Sequence, residues 1–257
     1  MESISAPWLK YYGSVPHTLT YPGCAMVDLV ARAAEKYPDN TALHFFGVRM
    51  TYRALMARFE ECARALMALG VREGERVTIC MPNMPQAVIL FYALNRVGAV
   101  ANMVHPLSAE AELVFYLNLS GSRTVLTMDR FTSKFEHILP KTNLQTLILT
   151  DADDALTGLK KAGYRLAQTM KGNRRKTGGL ILRWSDFIAR GRRYEGPARR
   201  PRAAGDEAAV LYSGGTSGKT KGISLSNLNF NALALQTAAA GDCIVPGHMM
   251  MAVLPLF

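Results

Sequence analysis

Short apolar runs of strand length recur along this chain, each followed by a segment of helix length, and that rhythm leaves few folds open. Residues 77–81 (VTICM) are rich in β-formers, and Pro82-Asn83 then breaks the chain. A helix-length apolar segment follows over residues 84–97 and closes at Gly98. Residues 99–104 read as a second strand stopped by His105-Pro106; residues 123–127 and 144–149 read as a third and a fourth. Between the second and third, Ser108 is the expected N-cap of a helix reaching Leu119, with Glu110 and Glu112 in the first turn, where the helix dipole favours acids, and Gly121 at its end. Upstream, residues 26–36 place Val27, Val30, Ala31 and Ala34 on one helical face. Strands apolar on both faces must be covered on both. The expectation is an α/β fold, a mostly parallel sheet with helices on either side and no internal repeat.

Charge and cysteine usage narrow the class further. The net charge of +10 is unevenly spread: fourteen Lys or Arg against Asp186 and Glu195 give residues 159–202 a charge of +12, leaving −2 on the remainder. This basic stretch holds a helical pattern at Leu159, Ala162, Leu166 and Met170, then a loop, then Gly196-Pro197 and Pro201, which read as a linker. It lacks the interleaved aromatics of a nucleic-acid module, so no nucleic-acid partner is expected. Cys24, Cys62, Cys80 and Cys243 lie far apart in apolar segments and read as buried thiols. The five histidines do not cluster, and no metal ligand is assigned. The longest apolar run is interrupted by Asn95, Arg96 and Asn102, whereas a membrane span needs about 20 mostly apolar residues. With no leader-like start, a cytoplasmic protein is expected.

The most informative motif is the stretch YSGGTSGKTKG over residues 212–222. Glycines at 214, 215 and 218 let consecutive backbone N–H groups converge on an anion; Ser213, Thr216 and Ser217 add hydroxyl donors, and Lys219 and Lys221 add charge. A flexible Gly-Ser linker would not sit between two apolar strands. Nor is this a Walker A loop. Four residues must separate its glycines, yet the position five before Gly218 is Ser213. Walker A also opens a helix at its lysine, whereas residues 221–225 read as the second strand of a hairpin, with a helix starting only near Ser226 and running through Leu228, Ala232, Leu235 and Ala239.

The loop resembles the signature of the adenylate-forming superfamily of acyl-CoA synthetases, peptide-synthetase adenylation domains and luciferases, in which an aromatic residue precedes Thr-Ser-Gly-Ser/Thr-Thr-Gly-x-Pro-Lys-Gly. Tyr212, Gly215, Thr216, Gly218, Lys221 and Gly222 match; Ser213, Gly214 and Thr220 stand where Thr, Ser and Pro are usual. Other landmarks follow in the family's order. Residues 50–55 (MTYRAL) resemble a segment after the first hairpin, and residues 70–77 (GVREGERV) a turn before a strand. Residues 95–100 (NRVGAV) resemble a helix-to-strand junction, and residues 254–257 (LPLF) the start of a late apolar motif.

The resemblance implies an incomplete N-terminal AMP-binding domain over residues 1–257, with a basic insertion or linker at about 151–205. It implies a ligase that turns a carboxylate and ATP into an acyl-adenylate and pyrophosphate, then passes the acyl group to a thiol, with coenzyme A as acceptor and Mg²⁺ beside the nucleotide. Ser213, Gly214, Gly215, Thr216, Ser217, Gly218, Lys219, Thr220 and Lys221 would hold the phosphates. The family's acidic magnesium ligand, ribose-binding Asp and adenylation Lys lie later in such sequences, so the catalytic lysine is expected beyond Phe257 and this chain alone is expected to be inactive. A peptide-synthetase-type adenylation domain and a non-catalytic nucleotide-binding remnant are the alternatives. The basic segment reads as a solvated surface insertion or, alternatively, as an amphipathic helix on the inner face of an anionic membrane, which would suit a fatty-acid substrate.

Overall fold

The computed structural model describes residues 6–170, 178–214, 220–241 and 244–256. Its centre is a seven-stranded sheet in the order β7-β6-β5-β3-β4-β8-β9. The strands are β3 (Arg76–Cys80), β4 (Val100–Met103), β5 (Thr124–Met128), β6 (Thr146–Thr150), β7 (Ile181–Arg183), β8 (Glu207–Ser213) and β9 (Lys221–Ser226). All neighbours are parallel except β8 and β9. A separate hairpin of β1 (Thr41–Phe45) and β2 (Val48–Thr51) precedes them. The α/β class and parallel sheet expected from the apolar runs are what the chain forms.

Alternation along each strand divides the core in two. Val77, Ile79, Leu126 and Ile148 face one side, where α1 (Met26–Lys36), α2 (Tyr52–Ala68), α3 (Pro85–Val97) and α7 (Trp184–Gly191) pack. Cys80, Val125, Leu147 and Leu149 face the other, covered by α4 (Glu110–Ser120) and α5 (Thr132–Ile138). Helices therefore cover both faces, which is why β5 is buried along its whole length. Gly98 and Gly121 end α3 and α4 in left-handed conformations, with φ of 83° and 67°. Thr51 caps α2 by accepting from the Ala54 N–H at 3.2 Å, the physical role of that landmark.

Several expectations need correction. Ser108 is not the N-cap of α4: the capping position is Ala109, and the Glu112 carboxylate reaches back to accept from the Ala109 N–H at 2.9 Å. An acid three residues into the helix accepts from the N–H of the capping residue, and that contact fits a helix start at Ala109, one residue after Ser108. The stretch at Gly196-Pro197 and Pro201, read as a linker, is pinned to the body through its neighbours. The Arg200 N–H donates to the Arg96 carbonyl at 2.9 Å, Arg199 pairs with Asp28, and Ala198 is buried. Within the basic stretch, β7 extends the sheet beside β6, and Trp184 and Phe187 of α7 enter the core. The face of α8 (Asn227–Ala240) that is buried is carried by Asn227 and Asn231, not by its leucines.

Asparagines also settle how α1 and α8 dock. The Asn227 side-chain oxygen accepts from the Met26 N–H at 3.2 Å and from the Asn95 side-chain amide at 2.7 Å. The Asn95 oxygen accepts from the Val27 N–H at 3.1 Å. Two N–H groups at the start of α1, which has no capping side chain of its own, are thereby satisfied from α3 and α8.

Candidate functional site

The glycine loop is delivered by a hairpin. Strand β8 runs parallel beside β4, and β9 returns antiparallel, with Ser213 opposite Lys221 and Tyr212 opposite Gly222. The hairpin, and not a strand-to-helix turn, carries the motif, as the exclusion of Walker A requires. Helix α8 begins only after Ser226, whose hydroxyl accepts from the Asn229 N–H at 3.3 Å. Because β3, β4, β5 and β8 are all parallel, their carboxyl ends share one edge of the sheet. Ser213, Gly214, Thr220 and Lys221 stand at that edge, Lys221 exposed. The order of the sheet reverses around β3, with β4 on one side and β5 on the other, and clefts at such reversals are where open α/β sheets bind ligands. Gly215, Thr216, Ser217, Gly218 and Lys219 lie outside the described residues.

A chain of buried polar groups anchors the base of the hairpin. The Tyr212 hydroxyl donates to the Asn102 side-chain oxygen at 2.7 Å, and the Asn102 amide donates to Thr78 Oγ1 at 2.8 Å and Ser120 Oγ at 3.2 Å. Thr78 donates on to Ser122 at 2.8 Å, and Ser122 to the Thr124 carbonyl at 3.1 Å. The network crosses from β8 through β4 and β3 to β5 and the end of α4. The Tyr212 ring packs on Tyr116 with centroids 4.1 Å apart. A Cβ on Gly222 would come within 3.3 Å of Val210 and 3.4 Å of Tyr212, so the glycine leaves space for the ring it faces. Burial pushes the Tyr212 phenol up, and hydrogen bonds with Ser120 and Asn102 oppose that. Burial likewise raises Tyr116, with the Glu112 carboxylate adding to the effect and hydrogen bonds with Ser108 and Thr220 working against it. Thr220, at the exit of the loop, is thus tied to α4.

The neighbouring turns at the same edge are also fixed. Lys134 Nζ donates to the Ser108 carbonyl at 2.9 Å, holding the turn after β4. After β3, the Asn83 side chain donates to the carbonyls of Ala252 and Leu254 at 3.0 and 2.7 Å and accepts from the Leu256 N–H at 3.0 Å. These bonds tie residues 252–256 of the late apolar segment to the turn after β3. Tyr116, Asn102, Lys134 and Asn83 were not singled out from the sequence. Asn102 alone left a signal there, a polar residue within a strand otherwise apolar on both faces.

Paired strands thus lead into a seven-residue Gly-, Ser-, Thr- and Lys-rich connection with a lysine beside it. The sequence matches the AMP-binding enzyme family over residues 30–257. The chain belongs to that family. It is 26% identical to a long-chain-fatty-acid–CoA ligase of Bacillus subtilis (strain 168), over 98% of this chain and 45% of that protein. A ligase of the same description from Salmonella typhimurium is 30% identical over 91% of this chain and 42% of its own length. Among solved structures, the long-chain-fatty-acid-CoA ligase FadD1 of Archaeoglobus fulgidus superposes with a TM-score of 0.67 at 26% identity, covering 86% of this chain and 40% of that one. The chain spans less than half the length of these relatives.

Proposed function

We propose that this chain supplies the ATP-gripping part of an AMP-forming acyl-CoA ligase acting on long-chain fatty acids. The observation that carries the reading is the position of the loop: a hairpin places its ends at the carboxyl edge of a parallel sheet, in a family defined by AMP binding. Ser213 to Gly218 would cradle the β- and γ-phosphates through backbone N–H groups and the hydroxyls of Ser213, Thr216 and Ser217. Lys219 and Lys221 would offset charge gathering on pyrophosphate as the acid's oxygen attacks the α-phosphorus, and Thr220 would hold the loop's exit against α4. Positioning and charge neutralisation are the contributions such a loop makes to the step. Mg²⁺ would accompany the nucleotide. Coenzyme A would accept the acyl group, and the long-chain acid is proposed from the descriptions of the relatives. Residues 1–257 are then the front of the AMP-binding domain, with the adenylation lysine and ribose-binding acid supplied by sequence outside this chain.

The test is nucleotide binding by the chain, titrated with ATP in the presence of Mg²⁺. Binding should weaken about tenfold in Lys221→Ala, the loss of one charge-assisted contact. Equal affinity in the wild type and in Lys221→Ala would remove the assignment of the loop.

A further inference from the structure

Strand β8 outruns its parallel partner. The ladder between β4 and β8 pairs Ala101 with Ala209 and Asn102 with Val210, and β4 ends at Met103. Beyond Val210, β8 and β9 continue as a two-stranded ribbon to Ser213 opposite Lys221, where the loop begins. β9 is the last strand of the sheet and residues 221–224 are exposed, so among the described residues no further strand steadies the ribbon. A two-stranded ribbon is marginally stable by itself and twists more than a wide sheet, so side chains have to fix its direction. Leu211 packs on one core and Tyr212 on the other, and Tyr212 adds a directed bond, from its hydroxyl back to Asn102.

Asn102 can meet that hydroxyl in one way. The donor chain ends at two backbone carbonyls, Ser122 giving to Thr124 at 3.1 Å and Ser120 to Leu117 at 3.2 Å. With those protons committed, Ser122 accepts from Thr78, while Thr78 and Ser120 accept the two amide protons of Asn102. The amide nitrogen is used up, so the side-chain oxygen faces Tyr212 and the phenol donates to it. Asn102 is fully buried, which keeps water from taking its place.

We propose that Asn102 is a positioning residue for the nucleotide: by holding Tyr212 it sets the angle at which the ribbon presents the loop, and so the affinity for ATP. The inference rests on the reading of the loop as the phosphate site. Titration of the chain with ATP and Mg²⁺ tests it. Asn102→Leu removes the acceptor and Tyr212→Phe the donor, and each should weaken binding about fivefold or more. Because both cut one bond, the double variant should lose no more than either single one. Tyr212→Phe keeps a ring to pack on Tyr116 and decides the matter should Asn102→Leu not fold. Gly191→Ala separates positioning from stability: its Cβ would lie 2.6 Å from the Ala65 backbone N, so it should destabilise the chain yet bind ATP as the wild type does. Unchanged affinity in Tyr212→Phe, losses that add in the double variant, or an equal loss in Gly191→Ala would each overturn the proposal. A wild type that does not bind ATP would overturn it together with the phosphate-site reading. Binding that weakens in Lys221→Ala but not in Tyr212→Phe would overturn the positioning role alone.

Discussion

Tyr212 illustrates what single residues do in this protein. It matches the aromatic position of the motif that the loop resembles, and its hydroxyl reaches Asn102 while its ring packs on Tyr116, so it joins the base of the loop to β4 and α4. Tyr212→Phe leaves the Asn102 oxygen without its donor inside the core. The expected cost is about 1–3 kcal/mol of stability, read from urea unfolding midpoints. The cysteines give a second residue-scale expectation. Burial raises the Cys62 thiol well above 9.0 and pushes Cys80 up to about 12. Both should stay unmodified by a thiol reagent in the folded chain near neutral pH and react on unfolding, as counted by thiol titration. The sign for stability follows. As pH rises through 9.0 the unfolded chain loses these protons while the folded chain keeps them, so the chain should weaken on the alkaline side. Urea midpoints above pH 9 should fall less in Cys62→Ala than in the wild type, each compared with its own value at neutral pH.

Between elements, close approach and satisfied polar groups decide the packing. At Gly191, the last residue of α7, a Cβ would lie 2.6 Å from the Ala65 backbone N and 2.7 Å from the Glu61 carbonyl of α2. Gly191→Ala must push two helices apart, at about 1–3 kcal/mol, whereas Gly205→Ala meets nothing within 4 Å and should leave the thermal midpoint nearly unchanged. The Asn95–Asn227 pair works differently, holding α1 and α8 together through donors at the start of α1. From the sequence, Asn95 was an interruption of an apolar run and the first residue of a helix-to-strand landmark, with no docking role assigned. Asn227→Ala should cost about 1–3 kcal/mol in urea unfolding, because buried N–H groups lose their acceptor. Ser108 was misplaced because two start signals stand one residue apart: a hydroxyl at 108, and an acid at 112 that fits a cap at Ala109, where the helix begins.

For the molecule as a whole, the two described ends of the loop stand at the edge where open parallel sheets bind ligands, and the neighbouring turns at that edge are held by Lys134 and Asn83. The relatives are more than twice as long, so the prediction for the chain by itself is nucleotide binding without turnover. An ATP–pyrophosphate exchange assay checks this: exchange should be absent for the 257 residues and present in a protein of the relatives' full length. Clear exchange by the chain alone would overturn the division of labour proposed between this part and the rest.

What the sequence determined by itself was local. Period and composition marked the buried strands and the glycines that close α3 and α4, because each depends on residues a few positions apart. Spacing also separated the loop from Walker A, since the strand after Lys221 is visible in residues 221–225. The tertiary structure decided the rest. Strand order, the asparagine bridge across 132 residues from Asn95 to Asn227, and the fastening of residues 192–203 all depend on partners distant in the chain. The same holds for α6 (Gly158–Met170). Its periodicity specifies a helix with one apolar side, but contacts at Asp151, Asp153 and Phe46, with Tyr164 packed against the core, leave that side outward.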